Sequence, residues 1–456
     1  MTSYTIQSDR VNRLMGVDIE KKKYSNGRRG RVHLLPFPTR NDRTEFENGF
    51  MPVVAGAMRK LYGEEIEIEG HATRTEDVLQ SIQFREETTE RRFENYLEKE
   101  LQNISSGQIQ DLSQLKFIPL SSEERARKGE LDLAHFVHDT FLAPYAEEFI
   151  EKLNELEPQN ILLNLLSTET EQPTKGVDRL YGNHLPRIAR QFREDFLLLL
   201  KHPSFCMQYI DLLFVHYTYI VITQLVLQVS RFEQFNEENW IDLYFFYQEE
   251  KAARWRDGYK WGYRRVQTEM ANFFAHEHLL NIVSEVSFTD ERNLLYHDIA
   301  QNLKGEEAEA QYIESVNSWM KEVYIPLREV SRNYQEPSTV TGLYQEMFEQ
   351  IKPNISNEIN SRYPKGLDEL FNKYFYKHGG SLGKLNSLNQ RQVLLLVAIS
   401  VGESRLELNR LWDELEIRGV YLDHKTREVI VELLDGLNYI EKKSDSGDAQ
   451  YVKPIL

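Results

Sequence analysis

Apolar side chains recur at three- and four-residue spacing over most of the chain, which is the period of helices that bury one face. The pattern becomes clear from about residue 86, where Phe93, Leu97 and Leu101 follow one another at this spacing. It predicts long helices over residues 186–202, 204–232, 238–284 with interruptions, 305–331 and 340–352. The sequence therefore favours a mainly α fold, with a helical N-terminal and central region.

Residues 1–85 follow no single period. The run Glu64–Glu69 alternates charged and apolar positions, as a half-buried strand does, although an exposed loop would give the same pattern. We expect this stretch to supply a small strand-containing segment. A basic run from Lys21 to Arg31 is expected to be solvated and could contact phosphate without sequence specificity.

Glycines mark the clearest domain boundary. Gly379, Gly380 and Gly383 form the densest glycine cluster in the chain, and Arg362–Gly366 places a proline and a glycine shortly before it. The predicted organisation is a mixed N-terminal segment over 1–85, a helical core domain over 86–361, a linker over 362–383, and a last domain over 384–456.

Three helices are predicted in the last domain from the residues that begin them. Ser387 with Gln390, and Ser404 with Glu407, have the spacing of a capping box, in which each side chain accepts a hydrogen bond from the other residue's backbone amide. Asp423 is a favourable N-cap for the third helix.

Two short runs after these helices, Tyr439–Lys443 and Ala449–Lys453, flank the turn-forming segment Ser444–Asp448 and predict a hairpin. Three helices followed by a hairpin is the element order of a winged helix-turn-helix. In that fold the third helix enters the major groove and the hairpin, or wing, meets phosphate. The sequence thus predicts a C-terminal winged-helix-like domain.

Cations on the third helix and the wing are the candidate DNA contacts. They are Lys425, Arg427, Lys442 and Lys443. Glu428, Glu432 and Asp435 on the same helix would repel phosphate. Winged helices also dock proteins, so DNA contact and protein docking both stay open.

The segment 254–265 interleaves basic and aromatic residues. If it is one helix, Arg256, Lys260 and Arg264 share a face at four-residue spacing, beside a face of aromatic rings. Cations beside stacking rings are typical of single-stranded nucleic-acid binding. The alternative, favoured on sequence grounds, is an amphipathic helix with its rings in the core and its charges solvated.

Composition excludes several classes of protein. The net charge of −17 argues against coating DNA by bulk attraction, because phosphate binding needs Lys and Arg. A single cysteine, Cys206, allows no disulfide within the chain and fits a reducing cytoplasm. Met1–Arg13 is polar and shows no apolar stretch of the kind a secretory signal has, so no such signal is expected. The apolar run Leu212–Leu227 is expected to be a core helix, with a membrane span as a distant alternative.

The sequence contains few residues that could form a catalytic, metal-binding or phosphate-binding site. Asp423, Glu441 and Lys443 imitate the acid–acid–lysine set of metal-dependent nucleases, but they are better explained as a helix cap and wing residues. His276 and His278 would point in different directions on a helix and could not share a metal there. A phosphate-binding GxxxxGK[ST] loop is absent from the sequence. We therefore predict no catalytic residue, no metal and no cofactor.

Several stretches of the chain resemble the DptG family of DNA phosphorothioation-dependent restriction proteins. The likeness is most detailed within Gly402–Leu456, the last part of the chain. The stretches that carry it are Leu437–Lys453, Arg418–Gly419, Glu428–Leu434, Leu34–Thr39 and Glu250–Tyr259.

The resemblance implies a non-catalytic subunit that works beside DptF and DptH in a complex attacking DNA that lacks phosphorothioate marks. Such a complex protects a bacterium against phage and plasmids, and its nucleotide-hydrolysing motifs belong to the partners. The expected partners are therefore DptF- and DptH-type subunits and double-stranded DNA. The alternatives are a pure protein scaffold in the same complex and a cryptic metal-dependent nuclease.

Overall fold

The computed structural model describes residues 3–25, 32–36, 46, 48–66, 79, 82–105, 109, 111–156, 179–328, 333–442 and 450–456. Its α-helices, in chain order, are α1 Ser8–Leu14, α2 Met51–Leu61, α3 Glu87–Ser105, α4 Glu124–Val137, α5 Ala146–Asn154, α6 Pro186–Leu200, α7 Pro203–Val229, α8 Asp257–Trp261, α9 Tyr263–Met270, α10 Phe273–Val283, α11 Tyr296–Asn302, α12 Glu306–Trp319, α13 Ile325–Arg328, α14 Val340–Ile351, α15 Asn357–Asn360, α16 Arg362–Phe371, α17 Gln390–Val401, α18 Leu408–Ile417 and α19 His424–Gly436. The strands are β1 Tyr244–Phe245, β2 Tyr376–His378, β3 Lys384–Asn386, β4 Leu406–Glu407, β5 Tyr421–Leu422, β6 Ile440–Lys442 and β7 Gln450–Val452. The predicted mainly α fold is confirmed.

The chain divides into two compact units, neither of which is continuous in sequence. Unit 1 comprises Met1–Leu35, Ile222–Ile241 and Arg264–Leu367, and unit 2 comprises Pro36–Val221, Asp242–Tyr263 and Asp368–Leu456. These units differ from the predicted organisation into consecutive domains. The stretch predicted as a linker contains α16 and strand β2.

Helix α10 forms the centre of unit 1. All eleven of its residues are buried, His276 and His278 among them. It packs against α14, which also contacts α12. The hydroxyl of Tyr312 on α12 donates to the carbonyl of Val283 at the end of α10, with 3.1 Å between the oxygens. Burial lowers the pKa of both histidines to about 3, so both imidazoles are neutral parts of a core.

In unit 2, helices α2 and α4 pack closely together, and every residue of α2 from Pro52 to Leu61 is buried. Arg59 on α2 is fully buried and donates to the backbone carbonyls of Ile66, Lys116 and Ile118. A buried guanidinium is tolerated because these carbonyls accept from it. The strand-like run beginning at Glu64 is not a strand at residues 64–66, and its remainder lies outside the described residues.

Helix α7 contains the most apolar run of the chain. The boundary between the units, after Val221, falls within it. It is the one helix in the described ranges that is long and apolar enough to cross a membrane, and 94% of its apolar window is buried inside the protein. That burial is typical of the core helix predicted from the sequence. A single helix of this length and composition is only weak evidence for a membrane span.

The last part of unit 2, residues 390–456, is named the C-terminal region here. Its helices α17, α18 and α19 are followed by strands β6 and β7. Strand β7 pairs antiparallel with both β4 and β6, which gives the order β4-β7-β6. Strand β5 pairs in parallel with β1 through Tyr244 opposite Tyr421. The turn predicted between β6 and β7 lies outside the described residues.

The helix starts in the C-terminal region differ in two of three cases from prediction. Helix α17 is capped two residues later than expected, by a capping box of Asn389 with Gln392. Ser404 does not begin α18, because strand β4 at residues 406–407 lies between Ser404 and the helix. The N-cap of α18 is Glu407, whose side chain makes no capping hydrogen bond. Asp423 caps α19 as predicted, since its side chain accepts from the backbone amide of Thr426.

Candidate interface in the C-terminal region

A buried ion pair fixes the inner side of the C-terminal region. Arg418, directly after α18, donates through Nη2 to Oδ1 of Asp195 on α6 at 2.7 Å and through Nε to Oδ2 at 2.9 Å. The two side chains are 6% and 2% exposed. This bidentate geometry matches the planar guanidinium to the carboxylate, so both charges are satisfied away from water. Nη1 of Arg418 also donates to Glu414.

His216 on α7 extends the same cluster. Its Nε2 lies 3.0 Å from the carbonyl oxygen of Arg418 and donates to it in the neutral ring. Burial lowers the pKa of His216 to about 4, more strongly than this hydrogen bond can raise it. The chain segment after α18 is thus held by α6 and α7 together.

A second ion pair fixes the start of α19. Arg256 donates through Nε to Oδ2 of Asp423 at 2.8 Å and through Nη2 to Oδ1 at 2.5 Å. Nη2 also donates to the hydroxyl of Thr426, and the guanidinium lies over the ring of Phe246 at 4.6 Å. Burial alone would raise the pKa of Asp423, but the hydrogen bonds from Arg256 and Thr426 lower it below its ordinary value.

The outer side of the C-terminal region carries the predicted DNA contacts that the structure describes. Lys425 is exposed and pairs with Glu428 at 2.5 Å, and Lys442 is exposed and lies 3.7 Å from Asp435. Arg427 is one-third exposed and pairs with a carboxylate of α18, that of Glu416, at 2.7 Å. Its guanidinium also lies over the ring of Trp412.

Each of these three cations therefore already faces a carboxylate of the same region. Over residues 390–442 the sequence has seven Lys and Arg against ten Asp and Glu. A phosphate that contacts these cations would compete with their carboxylate partners, in a stretch of sequence with more acidic than basic residues. Lys443, the fourth predicted contact, lies outside the described residues.

The structure separates the three cations predicted to share a helix face over 254–265. Gly262 interrupts the helix between α8 and α9, so the four-residue spacing no longer aligns them. Arg256 lies just before α8 and is buried against Asp423, which removes it from any nucleic-acid contact. Lys260 and Arg264 are exposed. The prediction missed the partner of Arg256 because 167 residues separate it from Asp423.

Two residues of the nuclease-like set, Asp423 and Glu441, are paired with arginines in the structure. Both carboxylate oxygens of Asp423 accept from Arg256, and Glu441 on β6 faces Arg405 at 3.5 Å. Within the described part of the chain, no group of three His, Cys, Asp or Glu side chains is placed to hold a metal ion. The buried pair of Arg418 with Asp195 on α6 was not predicted from the sequence, because no local pattern joins two positions 223 residues apart.

No protein-family model and no curated protein matches this chain. The resemblance to the DptG family therefore stays an expectation from the sequence.

Proposed function

We propose that this chain is a non-catalytic assembly subunit of a bacterial phosphorothioation-dependent restriction complex. The sequence resemblance to the DptG family supports the setting, and DptF- and DptH-type subunits are the proposed partners. In this proposal the C-terminal region is a winged-helix-like module that docks a protein. The element order, three helices and a terminal antiparallel pair, and the strand order β4-β7-β6 support that assignment.

The observation that carries protein docking is the pairing of the outer cations. Lys425, Arg427 and Lys442 each face a carboxylate within the C-terminal region, whose composition is acidic. A protein partner can add hydrogen bonds at the rim of such a mixed-charge face without displacing its ion pairs. DNA binding is favoured by the release of counterions when Lys and Arg neutralise phosphates. Here that gain would require each of the three cations to leave its carboxylate and pair with a phosphate.

Direct DNA contact is the second candidate. Lys425 and Lys442 are exposed on the helix and strand that a winged helix presents to a duplex, and surface ion pairs are weak enough to exchange partners. If DNA binds directly, the acidic neighbours of Lys425 and Lys442 lower the affinity, but DNA still binds at these two residues.

Co-purification tests the leading proposal. The chain, carrying an affinity tag, would be co-expressed with DptF- and DptH-type subunits, and the lysate treated with nuclease before capture. We expect at least one partner to be retained without DNA, and the charge reversal Lys425→Glu with Lys442→Glu to reduce its retention. Partners that are lost on nuclease treatment would favour DNA bridging, and no retention under any condition would refute the assembly role.

A further inference from the structure

A buried carboxylate lies where α4 of unit 2 ends. After Val137 the chain continues as one π-helical turn, His138–Leu142, named the π turn here. Single π-helical turns of this kind occur frequently at functional sites. Asp139 in this turn is fully buried, and Lys60 on α2 and His138 beside it are 7% and 5% exposed. Charged side chains are almost never buried to this degree unless they are paired, so their contacts determine what the turn can do.

Asp139 connects three parts of unit 2. Its Oδ1 accepts from Nζ of Lys60 and from Nδ1 of His138, each at 2.8 Å. Its Oδ2 accepts from the backbone amides of Leu180 and Tyr181, at 2.8 and 3.2 Å. One carboxylate therefore holds together helix α2, the π turn and the backbone at residues 180–181.

His135, one helical turn before Asp139, makes a second contact to Lys60. Its Nδ1 lies 3.0 Å from Nζ of Lys60. An ammonium group has three donors and no acceptor, so Nδ1 is the acceptor and the neutral ring carries its proton on Nε2. His135 is partly exposed, whereas Lys60, His138 and Asp139 are buried, so solvent has the best access to this imidazole.

The neighbouring elements determine which further charges lie nearby. Helix α2 packs on both α4 and the π turn, and its Arg59 donates to backbone carbonyls, away from the carboxylate. Helix α6 also packs on the π turn, and its Asp195 is bound to Arg418. The segment that precedes α6 contributes Arg179, which donates to the carbonyl of Ala143 at 3.2 Å.

The protonation states follow from these surroundings. Burial and the charge of Lys60 lower the pKa of His135 below its ordinary value, His138 lowers it further, and Asp139 acts against them. Burial also lowers the pKa of His138, against its hydrogen bond to Asp139 and together with the charges of Lys60 and Arg179. Burial alone would raise the pKa of Asp139, but the hydrogen bonds from His138 and Lys60 lower it. At neutral pH both imidazoles are therefore neutral beside an ionised carboxylate.

We propose that His135 is a proton-operated latch that controls how firmly residues 180–181 are held. The neutral ring accepts from Lys60 and keeps the ammonium group against Asp139. Protonation of Nδ1 turns this acceptor into a donor, so two cations face each other at 3.0 Å and Lys60 is displaced. A buried carboxylate that loses its cation is unfavourable, so Asp139 moves towards water and releases the two amides.

The latch opens towards acidic pH. Because the closed form binds the proton of His135 less readily than a free imidazole does, the latch is closed above about pH 6.5 and opens as the pH falls below that value. Each unit by which the pKa is lowered changes the ratio of closed to open forms by about tenfold. The latch requires neither DNA nor a partner subunit, so it does not depend on the proposed function.

Hydrogen exchange of the full-length chain tests the latch, with the amides of Leu180 and Tyr181 resolved by mass spectrometry after electron-transfer fragmentation. Exchange is expressed as protection relative to the intrinsic rate at each pH. We expect protection of these amides in wild type to fall by about tenfold or more between pH 7.5 and pH 5. His135→Gln keeps an acceptor for Lys60 that does not titrate, so its protection should stay high at both pH values. His135→Asn provides the same comparison with a shorter amide if the glutamine variant does not fold.

His378→Gln is the matched control, because His378 on β2 is an exposed histidine of the same unit. Its protection should follow that of wild type at both pH values. Constant protection in wild type, or an equal fall in wild type and the His135 variants, would overturn the proposal. An equal loss of protection in α17 would overturn it too, since unit 2 as a whole would then be unfolding.

Nuclear magnetic resonance of the chain with ¹³C-labelled histidine measures the proton directly. The His135 signal, assigned by its absence from His135→Gln, should titrate below about pH 6.5 and over the same range in which protection is lost. Titration of His135 at or above that value would contradict the latch, because a proton would then be bound without displacing Lys60.

Discussion

The inner and outer sides of the C-terminal region use the same chemistry, a cation beside a carboxylate, with different consequences. On the inner side, Arg418 with Asp195 and Arg256 with Asp423 are bidentate and nearly excluded from water. On the outer side, Lys425 with Glu428 joins two flexible, exposed side chains. Breaking a buried pair leaves a charge without solvent or partner, whereas exposed ions are rehydrated. The inner pairs therefore hold the segment after α18 and the start of α19 in place, and the outer pairs can exchange partners.

The largest expected effect comes from Arg418→Ala. It leaves the carboxylate of Asp195 buried without its guanidinium, and we expect a loss of about 3–5 kcal/mol in the free energy of unfolding. Urea unfolding followed by circular dichroism measures it. Arg405→Ala, which removes a half-exposed arginine facing Glu441, is the control and should be nearly silent. Equal midpoints for the two variants would contradict the role assigned to the buried pair.

A second effect depends on pH through His216. The unfolded chain protonates this imidazole below about pH 6.5, whereas the folded chain protonates it only near pH 4. Its stabilising contribution is therefore complete above pH 6.5 and is lost as the pH falls towards 4, by about 3 kcal/mol in total. His216→Gln should cost stability at pH 7.5, and the difference from wild type should shrink at pH 4.5. A difference that is constant with pH would show that His216 does not titrate in this way.

Breaking the pair of Arg256 with Asp423 should lower the free energy of unfolding by less, because Arg256 lies beside the short helix α8. We expect Arg256→Ala to cost about 1–3 kcal/mol, and Arg254→Ala, two residues earlier and exposed, to change nothing measurable. Asp423→Asn separates two roles, since the amide oxygen still caps α19 while the ion pair is lost. Asp423→Ala should therefore be less stable than Asp423→Asn in the same unfolding experiment. Equal stabilities would mean that the cap contributes nothing.

The smallest effect is expected on the outer side. Lys425→Ala and Lys442→Ala should not change the midpoint of thermal unfolding relative to wild type, because both side chains are exposed. A clear shift in the midpoint for either variant would show that the outer pairs also hold the fold together. Retention of partner subunits by the double charge reversal is the functional counterpart of this measurement.

The sequence predicts local features of this protein better than distant ones. The period of apolar residues correctly predicts the long helices α6, α7, α12 and α14, but it is wrong over 238–256, which contains strand β1 and no α-helix. Asp423 is recognised as a cap because its effect reaches only three residues. The pairs Arg418–Asp195 and Arg256–Asp423 join positions 223 and 167 residues apart, and no local pattern encodes them. The same limit applies to 254–265, where periodicity suggests one helix but close packing at Gly262 divides it into α8 and α9.

Backbone hydrogen exchange tests the central claim most directly. Exchange would be compared between the free chain and its complex with DptF- and DptH-type subunits, after nuclease treatment. If the outer side of the C-terminal region docks a protein, exchange should slow in α19 and in strands β6 and β7, while α2 and α4 are unaffected. Complex formation that leaves exchange in α19, β6 and β7 unchanged would contradict the account.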